Sequence, residues 1–245
     1  MLGLVQGATE FLPVSSSGHL VLAQWVLGVR QPGVSLEVAL HAGTLVAVVL
    51  ALHGRIRGDW RRLLVPVLVG SVPAAIAGLA LKPLIERAFE QPVVLGLGWL
   101  LTGAALLWAA RRPPGQRAAT GLKARESLWI GLFQAAALLP GVSRSGAALV
   151  GGLCVGLEAG EAAAFAFLLA LPSVGGAVLL DLPASWGEGS IWLGAGVAAL
   201  AGAAAIRLFL RKGLPGRLAP YGVYCAALGL LTLVSAAVLG AGALP

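Results

Sequence analysis

The sequence is poor in charge. Of its 245 residues only 11% are Asp, Glu, Lys or Arg, whereas 58% are hydrophobic and the mean hydropathy is +0.92. A soluble domain carries about 25% charged residues, so a chain this apolar cannot cover itself with polar surface. Lipid must surround much of it. The sequence therefore predicts an all-α polytopic membrane protein that forms a single integral membrane domain over residues 1–245.

Cysteine and acidic residues are also scarce. The only two cysteines, Cys154 and Cys225, lie in apolar runs, which excludes a disulfide framework and a paired-cysteine metal site. The formal net charge is +7. The basic residues lie in short loops between apolar stretches and are not interleaved with aromatic residues, so we expect membrane orientation and no nucleic-acid binding.

The apolar stretches are of two kinds. Two of them, residues 2–29 and 127–160, are interrupted by Pro, Gly and Ser, and irregular backbone at membrane depth must be buried or line a wet cavity. We predict that both are re-entrant helical hairpins. Uninterrupted stretches near the ~20 residues that a crossing helix needs predict six spanning helices, at 35–53, 63–81, 92–110, 162–180, 190–207 and 221–243.

The charges support this topology. Basic residues concentrate in three loops, at 55–62, 111–125 and 207–217. If these three loops lie inside, the segment 127–160, which follows the second loop, must enter and leave the membrane on the inner side. A hairpin does this. The poorly basic loops near 82–91 and 181–189, the latter with Asp181 and Glu188, then lie outside.

The chain also contains an internal repeat. At an offset of 128 residues, Gly3-Leu4-Val5-Gln6 aligns with Gly131-Leu132-Phe133-Gln134, and the stretch 14–18 aligns with 142–146. Each half, roughly 1–110 and 127–245, would hold one hairpin and three spans, and three crossings reverse the orientation of the second half. This is an inverted-topology repeat, which places a site near the midplane where the two interrupted segments meet.

Polar residues at membrane depth mark this site. The arginine and the helix N-termini at the two interruptions suit an anion, and Glu10 and His19 flank Ser16 and could activate a hydroxyl or a water. This combination suggests phosphoryl transfer. Glu37 and His41 could give either structural support or a direct contribution. The other candidate residues are Gln6, Glu10, Ser15, Ser16, Ser17, Gly18, His19, Ser143, Arg144, Ser145 and Gly146.

Blander interpretations and a second function stay open at this point. A membrane serine often bonds the backbone of its own helix, and Arg144 could be only a structural counter-ion to Glu10. Inverted repeats with interrupted helices fit a transporter or flippase of a lipid phosphate as well as an enzyme. Transport needs an anion cradle but no activated hydroxyl, so Ser16 beside Glu10 and His19 favours chemistry.

The two interruptions resemble the signatures of the bacterial undecaprenyl-diphosphate phosphatases of the BacA type. Residues 6–20 read QGATEFLPVSSSGHL and resemble the first signature, and residues 140–146 read PGVSRSG and resemble the second. Further similar segments are 40–45 and 167–172. The resemblance covers nearly the whole chain.

The resemblance implies a function and a place. Members hydrolyse undecaprenyl diphosphate to the monophosphate at the outer face of the inner membrane, which recycles the carrier lipid of cell-wall synthesis and protects against bacitracin. It implies a polyprenyl diphosphate as substrate, support by a divalent cation such as Mg²⁺ or Ca²⁺, and a possible homodimer. It also implies that Glu10 is a metal ligand or base, that Ser16 is the nucleophile with His19 as acid/base or rival nucleophile, and that Arg144 holds the diphosphate.

The chain departs from the family pattern at a few positions. Gln6 stands where many members have Glu, a substitution that the pattern allows and that removes one carboxylate from any metal site. Ala148 replaces a common Thr, Ala166 a common Ser, and the acidic pair Glu158 and Glu161 lies where a basic residue is usual.

Overall fold

The chain folds into helices. A computed structural model describes residues 1–28, 34–113, 115–180, 189–213 and 216–239. Within these ranges every named secondary-structure element is a helix. The predicted outer loop with Asp181 and Glu188 lies outside the described residues. The α-helices are α1 (Leu2–Glu10), α2 (Ser16–Val26), α3 (Val34–Ala80), α4 (Lys82–Phe89), α5 (Pro92–Ala109), α6 (Ala124–Ala136), α7 (Arg144–Cys154), α8 (Ala159–Leu180), α9 (Gly189–Arg211) and α10 (Ala219–Leu239).

Five of the described helices are long and apolar enough to cross a membrane, namely α3, α5, α8, α9 and α10. By contrast, α1, α2, α6 and α7 have only 9, 11, 13 and 11 residues. At 1.5 Å per residue they extend about 14–20 Å, well short of the ~30 Å hydrocarbon core. The predicted all-α, multi-pass architecture is confirmed at this level.

The short helices meet at interruptions where the sequence predicts them. Between α1 and α2 the chain contains Pro13, which has no N–H to continue a helix. Ser15 then adopts a left-handed conformation with φ 66°, and Gly141 does the same between α6 and α7 with φ 83°. The new helices begin at Ser16 and at Arg144, which are equivalent at the 128-residue offset.

Helix α3 differs from the prediction of two spans joined by a basic loop. The segment with Arg55 and Arg61 contains no proline, and it is helical throughout, including at Gly54 and Gly58. A straight helix of 47 residues would extend about 70 Å. Nevertheless, Glu37 and Ala74 from its opposite ends line one cavity. Helix α3 therefore folds back on itself, into a first arm before the basic segment and a second arm after it.

Glycines set the closest helix contacts. A β-carbon on Gly3 would collide with the carbonyl of Gly194, so α1 lies directly against α9. A β-carbon on Gly131 would likewise collide with the carbonyl of Gly70, so α6 lies directly against the second arm of α3. Small residues allow such approach in lipid. Gly3 and Gly131 are equivalent at the 128-residue offset, so equivalent glycines allow a close helix contact in each half of the chain.

Glu161 is one of the acidic residues that depart from the family pattern, and its contacts explain why it is acidic in this chain. Its carboxylate pairs with Arg55 in the basic segment of α3 and accepts a hydrogen bond from the Ala119 N–H at 2.8 Å. The start of α8 is thereby tied to two predicted inner loops. An acidic residue at this position has a structural partner in this chain.

We expect Gly131→Ala to destabilise the protein, because the added methyl group must push the backbones of α6 and α3 apart. Forced overpacking costs about 1–3 kcal/mol. The control is Gly176→Ala in α8, where a β-carbon meets no atom within 4 Å and where alanine favours the helix by roughly 0.5–1 kcal/mol. Thermal unfolding in detergent compares the two variants, and equal stability would show that the close contact is absent.

Candidate functional site

A cavity of about 470 Å³ lies where the two interruptions meet. Its walls come from both interruptions and from α3, α4, α6 and α8. The polar residues that line it are Glu10, Ser15, Ser16, Ser17, Glu37, His41, Gln134, Ser143, Arg144 and Ser173. Most of the candidate residues predicted from the sequence are thus brought together in one place.

Glu10 is the centre of the site. It is 5% exposed, and its carboxylate accepts hydrogen bonds from Gln6 Nε2 at 2.9 Å and from the Ser16 hydroxyl. Its other oxygen forms an ion pair with Nη2 of Arg144. Residues from both interruptions therefore converge on a single buried carboxylate.

The N-termini of two helices open at the cavity. Ser16 and Arg144 are the first residues of α2 and α7, and both line the cavity. The free N–H groups and the positive dipole end of each helix favour an anion there. At α7 the Ser143 hydroxyl caps the helix by accepting from the Gly146 N–H at 3.1 Å.

Arg144 has a spare donor. Nη2 pairs with Glu10, but Nη1 is buried without any hydrogen-bond partner. A buried unpaired donor of a charged group is costly, and an anion bound in the cavity would supply the missing acceptor. The arrangement can hold a phosphate oxygen on Nη1 while Nη2 keeps Glu10 in place.

Three predicted binding residues are structural instead of lining the cavity. The Ser145 hydroxyl donates to the carbonyl of Leu12 at 3.0 Å, which joins the two interruptions. Gly146 packs against Pro13, and Gly18 lies against the ring of Trp99 with no room for a side chain. These residues pack the two interruptions against each other and against α5, outside the cavity.

Helix α5 supports both interruptions, a feature that the sequence analysis missed. Trp99 Nε1 donates to the carbonyl of Val14 at 3.0 Å. Thr102 donates to the carbonyl of Gly141 at 3.1 Å and accepts from the Ser143 N–H at 3.0 Å. The only sign of this role in the sequence is a Trp and a Thr about one helical turn apart in an apolar span. The sequence alone does not show which neighbouring segment they face.

His19 is not among the residues that line the cavity. Its Nδ1 lies 2.7 Å from the carbonyl of Ser15, to which an Nδ1–H donates, and its Nε2 lies 2.8 Å from the hydroxyl of Tyr224. With Nδ1 protonated, Nε2 accepts from Tyr224. The ring also stacks on Tyr224, with centroids 5.7 Å apart. In this geometry His19 supports the left-handed Ser15, and Tyr224 is a partner that the sequence did not reveal.

Glu37 and His41 line the cavity from the first arm of α3. Glu37 accepts from Gln24 Nε2 at 3.1 Å, and His41 Nδ1 lies 2.9 Å from the backbone carbonyl of Glu37. Each residue therefore has a structural partner and also faces the cavity, so both of the sequence interpretations stay open.

The described residues do not form a ready metal site. No group of three or more His, Cys, Asp or Glu side chains comes together among them. Both oxygens of Glu10 already have partners from the chain, and its neighbour Gln6 is an amide. A divalent cation would have to find most of its oxygen ligands outside the protein.

Fold and site together define a multi-pass helical membrane protein with a cavity, lined by hydroxyl groups and a buried ion pair, at two facing helix interruptions. The chain belongs to the family described as "Bacitracin resistance protein BacA", whose model matches residues 1–231. It is similar to the undecaprenyl-diphosphatase of Desulfosudis oleivorans, with 39% identity over 95% of this chain and 96% of the relative. The undecaprenyl-diphosphatase of Rhodopirellula baltica is 36% identical over 96% and 95% of the two chains.

We expect Thr102→Val to destabilise the second interruption, because the carbonyl of Gly141 and the N–H of Ser143 lose their partner together. Each unsatisfied buried group costs about 1–3 kcal/mol. Thr232→Val in α10 is the matched control, since that hydroxyl only donates to Leu228 of its own helix at 2.8 Å. Unfolding in detergent measures both variants, and an equal loss would contradict the role of Thr102.

Proposed function

We propose that this chain hydrolyses undecaprenyl diphosphate to undecaprenyl phosphate and inorganic phosphate, which recycles the carrier lipid for cell-wall synthesis. Membership of the BacA family and full-length similarity to undecaprenyl-diphosphatases support the proposal. The observation that carries it is local. The Ser16 hydroxyl donates to the buried carboxylate of Glu10, which is paired with Arg144 in the same cavity.

In the first step Ser16 Oγ attacks the terminal phosphorus. The Oγ–P bond forms as the bond from phosphorus to the bridging oxygen breaks, and undecaprenyl phosphate leaves. Glu10 accepts the hydroxyl proton along the hydrogen bond that already joins the two groups. Nη1 of Arg144 and the N-termini of α2 and α7 stabilise the charge on the phosphoryl oxygens.

In the second step a water attacks the phosphoserine. The new O–P bond replaces the Oγ–P bond, Glu10 returns its proton to Ser16, and inorganic phosphate leaves with the protons of the water. Gln6 orients Glu10 through its 2.9 Å hydrogen bond. Ser15, Ser17 and Ser143 line the cavity and offer further hydroxyl contacts to the diphosphate.

Ser16 is a better nucleophile candidate than His19. Ser16 lines the cavity and is bonded to a base, whereas His19 is outside the lining and both of its ring nitrogens already have partners. In this proposal His19 is a positioning residue that holds the backbone of Ser15.

The expected divalent cation could be bound mainly by the oxygens of the substrate. Mg²⁺ and Ca²⁺ prefer oxygen ligands, and a diphosphate supplies several. Among the described residues, the cavity adds the carboxylates of Glu10 and Glu37, and no group of three or more His, Cys, Asp or Glu side chains. We therefore propose that the cation arrives with the diphosphate, and no step above passes through it.

We propose the following arrangement in the bacterial inner membrane. The two arms of α3 each cross, which with α5, α8, α9 and α10 makes six spans, and the α1–α2 and α6–α7 pairs are re-entrant hairpins of an inverted repeat. The close helix contacts at the equivalent glycines Gly3 and Gly131 support the repeat. The cavity opens to the outer side, because Ile85 and Phe89 of the predicted outer helix α4 line it. A homodimer stays a prediction.

The alternative function is a flippase of polyprenyl phosphate. Neither the site nor the relatives' names favour it over hydrolysis. Movement of labelled lipid across sealed vesicles without phosphate release would distinguish it.

The prenyl tail has a route out of the cavity. An apolar groove between α2, α4, α5 and α10 shares Val21 and Phe89 with the cavity wall. The groove continues along Leu95, Leu228 and Leu231. We propose that the diphosphate occupies the cavity while the tail lies in this groove.

The groove predicts an effect that depends on chain length. Leu231 lies in the groove and is 63% exposed, so the larger side chain of Leu231→Trp should fill part of the groove. The C55 tail would then bury less apolar surface, and KM for the C55 substrate should rise roughly tenfold. KM for a C5 prenyl diphosphate should stay unchanged, because its tail does not reach the groove. Leu230→Trp is the control, since Leu230 is 57% exposed and lies outside the groove. Equal effects on both substrates would contradict the route.

The catalytic proposal predicts that Ser16→Ala and Glu10→Gln each lower phosphate release by about 10³-fold or more. Glu10→Gln keeps the volume of the side chain and so limits damage to the fold. Ser173→Ala is the matched control, because Ser173 lines the cavity but donates to Leu169 of its own helix at 2.6 Å. Phosphate release by purified protein in detergent measures all three, and wild-type rates in both site variants would refute the proposed site.

A further inference from the structure

Gln134 is the one cavity-lining residue of the described chain whose side-chain amide has no partner at either atom. It is 1% exposed, it lines the same cavity as Glu10 and Arg144, and both Nε2 and Oε1 are buried without a hydrogen bond. Buried amides in folded proteins are almost always bonded, and leaving one unpaired costs about 1–3 kcal/mol. Such a cost calls for a ligand that completes the site.

The end of α6 does not need this side chain. The backbone carbonyl of Gln134 accepts from the Ala137 N–H at 3.0 Å, as expected at a helix end. Neighbouring small polar groups are satisfied by their own helices. Ser127, two turns earlier in α6, donates to Lys123, and Ser71 in the second arm of α3 donates to Val67. Of these three polar side chains, only the amide of Gln134 has no hydrogen-bond partner.

The repeat explains why the amide is free. Gln6 is equivalent to Gln134 at the 128-residue offset, and its Nε2 is bonded to Glu10. The position equivalent to Glu10 in the second half is Leu138, which has no acceptor. Gln134 therefore keeps the position of Gln6 in the repeat but lacks the carboxylate to which Gln6 is bonded.

We propose that Gln134 contacts the substrate directly during phosphoryl transfer. Its Nε2 donates to a non-bridging oxygen of the terminal phosphate, and its Oε1 accepts from the water that attacks the phosphoserine. Together with Nη1 of Arg144, this gives the cavity two unpartnered donors for the phosphate and one acceptor for the water. Because both amide atoms are free, the proposal is the same whichever way the amide is turned. It rests on the proposed hydrolysis.

The test uses Gln134→Leu, which keeps most of the volume without the polar atoms, and Gln134→Glu, which keeps the shape but loses the donor. For each we expect kcat to fall about 100-fold, as for loss of one donor to a developing charge. Unfolding temperature of Gln134→Leu should stay equal or rise, because an unpaired buried amide has been removed. Orthovanadate, a phosphate analogue, should raise the unfolding temperature of the wild type more than that of either variant. Ser127→Ala is the control and should match the wild type in every readout.

The outcomes separate this inference from the proposed function. A folded Gln134→Leu protein with wild-type kcat and a wild-type vanadate shift would overturn the inference while leaving the hydrolase intact. A clear drop in unfolding temperature for both Gln134 variants, without one in Ser127→Ala, would assign the amide a structural role and also overturn it. If the wild-type protein released no phosphate while vanadate still bound through Gln134, the proposed function would fail and the anion contact would stand.

Discussion

The ion pair between Glu10 and Arg144 is the interaction on which the site depends. The two residues come from interruptions that lie far apart in the chain, and Glu10 is almost completely buried. An uncompensated charge at such depth is costly, and removing one partner of a buried pair typically costs about 3–5 kcal/mol. The pair therefore favours the arrangement in which the two interruptions face each other, and it places a hydroxyl, a carboxylate and a guanidinium around one cavity.

A second constraint is that irregular backbone at membrane depth must find partners inside the protein. The carbonyls of Leu12, Val14 and Gly141 illustrate it, since they accept from Ser145, Trp99 and Thr102. These bonds come from the opposite interruption or from α5, so they fix each loop relative to the rest of the fold. The loops that carry Ser16 and Arg144 are thus held rigidly, and rigid placement of donors is what phosphoryl transfer requires.

Much of this could be predicted because polar residues are rare in an apolar chain. The two interruptions, the presence of a helix N-terminus at each of them and the nearness of Glu10 to Ser16 follow from Pro, Gly and charge at membrane depth. The loop predicted within α3 was wrong, since the basic segment is helical in spite of its charges and its two glycines. Trp99, Thr102 and Tyr224 were missed, since isolated polar groups in apolar spans show their partners only after folding. For the same reason the sequence could not show that His19 has both nitrogens bonded.

The central claim is that Ser16 takes the phosphoryl group before water does. The most direct measurement is the stereochemical course at phosphorus, with a substrate whose terminal phosphate is made chiral by sulfur and oxygen isotopes. Transfer first to Ser16 and then to water inverts the centre twice, so the account predicts net retention of configuration. Net inversion would mean that water attacks the diphosphate directly and would contradict the account.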